Sequence, residues 1–179
     1  MIVILSGPSG VGKDTVLDAW MAVEPRVARV VTYTTRRPRS GEMDGRDYNF
    51  VDLESFKGLQ DAGYFWEHKV VHGHYYASPR KDTEKLLEEG RIPVLKIDVQ
   101  GAAEIVRLRP DALTVFLLPP SFEVLEERIR GRGTDDEETI QRRLGNARDE
   151  IAQAGRYQLQ IVNDDIDAVV RQLVEATRK

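Results

Sequence analysis

Seven consecutive residues near the start of the chain, Gly7-Pro8-Ser9-Gly10-Val11-Gly12-Lys13, have the G-x-x-x-x-G-K spacing of a phosphate-binding loop. The glycines allow positive φ, so successive backbone N–H groups can converge on phosphate oxygens. The run follows the apolar stretch Ile2-Val3-Ile4-Leu5 and opens a helix expected over Thr15 to Met21, which is the context the motif needs. A helix N-terminus adds partial positive charge, and Lys13 reaches the β- and γ-phosphates of a nucleoside triphosphate. One position departs from the motif. Asp14 follows the lysine where Ser or Thr usually offers Mg²⁺ a hydroxyl, and Thr15 stands one place late. A hard cation accepts a carboxylate directly or through water, so Asp14 is a candidate metal ligand with Thr15 as the alternative. A second acid, Asp98, closes the run Val94-Leu95-Lys96-Ile97. At the carboxyl end of a parallel strand it faces the same crevice as the loop, where an acid can hold Mg²⁺.

These groups need a scaffold, and the hydrophobic pattern supplies one. Ile2 to Leu5, Arg29 to Val31, Ile92 to Leu95, Leu113 to Leu118 and Gln160 to Val162 are short, nearly continuous apolar runs. Such runs are expected of a parallel sheet covered on both faces. Between them, Ile140, Leu144, Ala147, Ile151 and Ala154 recur at helical steps, as do Ile166, Val169, Val170, Leu173 and Val174. The alternation predicts an α/β three-layer fold with a parallel central sheet. Two segments break it. Residues 32–78 are rich in aromatic, polar and turn residues, and Tyr48 to Val51 and Tyr64 to Glu67 are expected as strands of a small separate sheet. Residues 128–148 carry six arginines and the break Gly131-Arg132-Gly133. Both are expected as insertions into the core, which would divide the chain into a core of 1–31, 79–125 and 149–179, a region 32–78, and a helical lid 126–148.

The run Thr34-Thr35-Arg36-Arg37-Pro38-Arg39-Ser40-Gly41-Glu42-Met43-Asp44-Gly45-Arg46-Asp47-Tyr48-Asn49-Phe50-Val51 resembles the signature segment of guanylate kinases over eighteen positions. Phe65-Trp66-Glu67 with Gly73-His74-Tyr75-Tyr76-Ala77-Ser78 resembles the second half of that family's GMP site, and Asp98-Val99-Gln100-Gly101 its central strand end. Arg128, Gly131 to Thr134 and Arg142-Arg143-Leu144 resemble its lid, and Ile161 to Asp165 the stretch near the adenine. The resemblance implies a P-loop nucleoside monophosphate kinase that phosphorylates GMP (and dGMP) with ATP and Mg²⁺. It implies that Arg36, Arg39, Tyr48 and Tyr76 hold the GMP phosphate, arginine suiting this through its planar fork. Thr32 would contact guanine O6, and Glu67 would accept from guanine N1–H and N2 together. Glu42, Ser78 and Asp98 complete the GMP set. ATP would meet Gly7, Pro8, Ser9, Gly10, Val11, Gly12, Lys13, Asp14, Thr15, Arg128 and Asn163, and Lys13, Arg132 and Arg143 would act on the transferring group. Asp14 and Asp98 are the expected metal ligands. Relatives often carry an acid at the place of Lys96, so this lysine is a second departure.

Composition limits the alternatives. Twenty-six basic against 30 acidic residues give a net charge of −4, which does not suit binding nucleic acid through bulk charge. With no cysteine there is no disulfide framework, thiolate metal site or cysteine nucleophile. No apolar run approaches the ~18 residues of a membrane span. A cytoplasmic protein is expected, with ATP and GMP as partners and no membrane, nucleic acid or obligatory protein partner. His68, His72 and His74 cluster without accompanying acids and are expected on a wet hairpin surface; Trp20 and Trp66 are expected to fill space. A protein-binding module of the same family would not need the intact glycines, Lys13 and lid arginines. A ribose-bisphosphate kinase shares an Asp after the loop lysine but has no use for Glu67 and Thr32.

Overall fold

The computed structural model describes residues 1–71, 73–131 and 136–178. Five strands, β1 (Val3–Ser6), β2 (Val27–Val30), β7 (Ile92–Lys96), β8 (Leu113–Leu118) and β9 (Leu159–Val162), form one sheet in the order β2-β7-β1-β8-β9, parallel throughout. Strand β1 is fully buried and still alternates. Val3 and Leu5 face a core shared with Val16, Leu17, Trp20, Leu144 and Leu173, while Ile2 and Ile4 face Ile105, Phe116 and Tyr157. Helices α1 (Lys13–Val23), α5 (Phe122–Arg130), α6 (Glu137–Ile151) and α7 (Ile166–Ala176) cover the first face, and α4 (Val99–Leu108) with α3 (Arg80–Glu88) the second. This is the expected three-layer α/β arrangement. The chain runs from β1 to one side for β2 and β7, then to the other for β8 and β9. The reversal lies at β1, where the glycine loop leaves the sheet.

A second sheet, in the order β4-β3-β6-β5, joins β3 (Tyr33–Thr34), β4 (Asn49–Phe50), β5 (Phe65–Val71) and β6 (His74–Pro79). It is mixed: β3 runs parallel to β4 and antiparallel to β6, and β5 pairs β6 with an irregularity between Phe65 and Glu67. Its packing is aromatic, with Phe56 against Phe65 and Tyr75, and Tyr33 against Tyr64 and Phe65. Phe56 belongs to α2 (Leu53–Asp61), a helix absent from the sequence reading of this region; the Asp52 side chain accepts from Ser55 N and starts it. A second difference concerns Ala154. The expected apolar face of the lid helix runs through it, but α6 ends at Ile151, and Ala154 lies in a 3₁₀ turn packed into the opposite core.

Candidate active site

The strand–loop–helix unit at β1 departs from most of the other helix starts, although α3, which follows Pro79, also lacks a side-chain cap. Helices α2, α4, α5, α6 and α7 each begin with an Asp or Ser whose side chain accepts from the first turn. Helix α1 begins after Gly12 at φ 98° with no such cap, which leaves its first N–H groups for a ligand. Glycine is required here by space as well as by φ. A Cβ on Gly7 (φ 149°) would lie 2.6 Å from the Leu117 carbonyl oxygen, and one on Gly12 2.8 Å from Asn163 Nδ2. Lys13 Nζ donates to the carbonyls of Gly7 (2.5 Å) and Pro8 (3.0 Å), folding back over the loop.

Two cavities flank this loop. The larger, a cleft of about 400 Å³, has Gly7, Ser9 and Lys13 on one wall and Thr32, Tyr48, Glu67, Tyr76 and Ser78 on the other, with Arg29, Lys96, Asp98 and Glu150 between them. The smaller, about 380 Å³, is lined by Gly10, Gly12, Thr15, Arg128, Asn163, Asp164 and Ile166. Asn163 Nδ2 donates to Val11 O at 2.7 Å, and Arg128 approaches the same carbonyl at 3.4 Å. The buried Asn163 Oδ1 has no hydrogen-bond partner among the described residues.

On the far wall the side chains hold one another. The Arg36 guanidinium meets both carboxylate oxygens of Glu42 at 2.9 and 2.8 Å, takes Tyr76 Oη at 3.2 Å through Nε, and lies over the Tyr48 ring. Glu42 also accepts from Arg39 N at 2.7 Å. Its contact with Arg36 lowers its pKa and raises that of the arginine. Burial pushes the Tyr48 hydroxyl up, so it remains a hydrogen-bond donor at neutral pH. Glu67 Oε1 accepts from Ser78 Oγ at 2.6 Å, and Gly101 leaves room beside the carboxylate, where a Cβ would sit 3.5 Å from Glu67 Cδ.

The candidate metal ligands meet a different arrangement. Asp14 Oδ1 accepts from Arg29 NH1 at 2.7 Å and Lys96 Nζ at 2.5 Å. Burial alone would raise the Asp14 pKa, but these two cations outweigh it and hold the carboxyl below its ordinary value. Asp98 caps α4, accepting from Gln100 N and Gly101 N, and is ion-paired with Lys69. Among the described residues no cluster of three His, Cys, Asp or Glu could hold a metal ion. As they stand, the two carboxylates do not fit a protein-held Mg²⁺ site. Thr15 lines the smaller cavity, on the other side of the loop.

Arg132 lies outside the described residues, as does His72. Arg143 is half-buried on α6 and does not line either cavity, but it precedes Glu150 by seven residues and so shares its helix face, about 10 Å along the axis. Glu150 itself was missed by the sequence reading. Burial raises its pKa against the opposing charges of Lys13 and Lys69. The heptad step from Arg143 was the signal that could have found it. Arg29, a charged residue inside an apolar strand run, was likewise a signal for a fixed partner.

A family model described as "Guanylate kinase" matches residues 1–179. The chain belongs to the guanylate kinase family. A guanylate kinase of Nitratidesulfovibrio vulgaris is 48% identical over 97% of this chain and 84% of that one. The crystal structure of guanylate kinase from Anaplasma phagocytophilum is 34% identical, with a TM-score of 0.78 over 99% of this chain and 84% of that one. A shikimate kinase structure from Bacteroides thetaiotaomicron, at 17% identity and TM-score 0.53, covers all of this chain and 99% of that one, and shares the fold alone. Bacterial guanylate kinases are among its curated relatives, and no described helix is long and apolar enough to cross a membrane.

Proposed function

We propose that this guanylate kinase transfers the γ-phosphoryl group of ATP to GMP, and to dGMP, giving ADP and the nucleoside diphosphate. One observation carries the reading: the uncapped glycine loop and the Glu67–Ser78 pair open into the same cleft. A carboxylate there can take the N1–H and N2 amine of guanine together. Adenine presents an acceptor at N1 and no N2 amine, which would leave the acid unpaired. Thr32 lines the same wall and would meet O6.

A phosphate monoester has its second pKa near 6, so the GMP phosphate is largely dianionic at neutral pH and needs no general base. One of its oxygens forms the new bond to the γ-phosphorus as the β–γ bridging P–O bond breaks and ADP leaves with the electron pair. Catalysis is then positioning and charge neutralisation. Lys13 serves the ATP phosphates, and Arg36, Arg39, Tyr48 and Tyr76 the GMP phosphate, with Glu42 holding Arg36 in place. Arg128 and Asn163 belong to the adenine side through the smaller cavity. Arg143 and Arg132, in the lid segment 126–148, would add charge and exclude water together on closure. The family generally uses ATP with Mg²⁺, and we expect the ion to arrive on the ATP phosphates with its waters.

A coupled assay offering GMP, dGMP, AMP, UMP and a ribose bisphosphate tests the reading. ADP release is expected with the two guanine nucleotides only. Release with AMP or with the ribose bisphosphate would overturn it.

A further inference from the structure

Asp14 and Lys96 are tied to each other and to the sheet. Lys96 is the last residue of β7 and pairs in register with Leu5, two residues before the glycine loop. Its ammonium reaches Asp14 on the first turn of α1, and the same carboxylate oxygen takes Arg29 from the neighbouring strand β2. The second terminal nitrogen of Arg29 takes Asp18 at 2.8 Å, one helical turn beyond Asp14. Two acids and two bases thus span α1, β2 and β7 with no net charge. The Arg29 side chain is only 14% exposed, so one end of this chain is firmly seated.

The arrangement has two chemical consequences. First, an acid directly after the loop lysine would repel ATP phosphates if it stood alone, and here two cations neutralise it. Second, a lysine that would otherwise sample many rotamers is fixed by one of its three donors. The other two remain for a ligand, and the side chain lines the cleft between the Lys13 wall and the Tyr48 and Tyr76 wall. That is the seam where the γ-phosphoryl group must pass from one nucleotide to the other.

We propose that Lys96 is a further catalytic residue, donating to the phosphoryl group in transit, and that Asp14 is its positioning residue. The proposal rests on the GMP kinase reading above. Lys96 exchanges no proton; it places positive charge where the oxygens of the moving group crowd together.

Lys96→Met keeps the stem and removes the charge, and Lys96→Arg keeps the charge. Steady-state rates, a GMP titration without ATP and thermal melts are to be measured on the wild type and each variant. In Lys96→Met, kcat should fall by ~10- to 100-fold, the worth of a charged hydrogen bond, with GMP affinity and melting temperature near wild type. Lys96→Arg should recover much of the rate. Asp14→Asn should lower kcat severalfold and have no further effect in the Lys96→Met background. It should also leave the Mg²⁺ dependence of the rate superimposable on that of the wild type. An unchanged kcat in Lys96→Met, or a GMP dissociation constant rising in parallel with the fall in kcat, would overturn the proposal. A raised Mg²⁺ requirement in Asp14→Asn would return Asp14 to the metal. If the wild type itself fails to phosphorylate GMP, the parent reading fails; a wild type active on GMP with an equally active Lys96→Met sinks only this inference.

Discussion

The glycine loop stands on a strand with no exposed residue, and what it offers a ligand is mostly main chain: open N–H groups at an uncapped helix start. The opposite wall stands on a sheet whose strands are half-exposed, and offers side chains: the fork of Arg36, the hydroxyls of Tyr48 and Tyr76, the carboxylate of Glu67. Main-chain donors look alike from residue to residue, so the loop wall can read charge and shape but not a base. It depends on what is missing, since side-chain atoms on its glycines would collide with Leu117 O or Asn163. The other wall depends on which side chains are present, and there one atom type can distinguish two purines.

The largest effect is expected from filling an empty space on the loop wall. Gly7→Ala forces a Cβ against the Leu117 carbonyl at a φ that L residues rarely adopt. Strain of about 1–3 kcal/mol should appear as lost stability in urea melts. ATP binding, followed by titration, should fall by far more than GMP binding. If the variant bound ATP normally, the main-chain account of this wall would be wrong.

A smaller and more selective effect is expected opposite. Glu67→Gln places a donor where guanine needs a second acceptor, so kcat/KM for GMP should fall roughly ten- to hundredfold. ATP affinity, measured without GMP, should stay near wild type. A parallel loss of ATP affinity would mean the two walls are not separable.

The smallest effect concerns the acids near the loop. The Asp14 pKa is below its ordinary 3.8 in the folded chain, so the stability it contributes is present above that pH and is lost as pH falls through the lower folded value. Glu150 has the opposite sign: its folded pKa is above 4.5, so its charged form costs stability at neutral pH and the cost vanishes in acid. Urea melts should therefore show Asp14→Asn less stable than wild type at pH 7, by under about 1 kcal/mol because the pair is partly exposed, with the difference narrowing as pH falls below 3.8. Glu150→Gln should be the more stable at pH 7 and lose that margin below pH 4. Reversed signs would show that the charges around Lys13 are balanced differently.

What could be read in the chain follows the same division. The strands of the parallel sheet announce themselves because burial on both faces leaves little but apolar residues, as in Leu113 to Leu118. The loop is visible because only glycine and lysine suit it. The small sheet is held by aromatic contacts between residues far apart, such as Phe56 with Tyr75, and its short strands and α2 carry little periodicity of their own. The Glu67–Ser78 bond crosses from β5 to β6, so it depends on strand register. Asp14 invited a metal reading because sequence shows a residue's neighbours along the chain; Arg29 and Lys96 are its neighbours only across the sheet. Ala154 kept the helical step past the end of α6, because its spacing does not reveal which core it joins.

With Glu42 lying across both terminal nitrogens of Arg36 and Tyr76 on the third, that guanidinium already has an internal counter-ion before any nucleotide arrives. An incoming phosphate does not enter an empty positive hole; it must compete with a resident carboxylate for the same donors. Its net gain is a difference between two anions rather than the full attraction of one. Stray singly charged anions, which offer the arginine nothing better than Glu42 does, gain little by displacing it, whereas a dianion anchored by its base can. The resident acid thereby sets an admission threshold, turning a generic attraction for negative charge into a preference for the one ligand that is held at both ends.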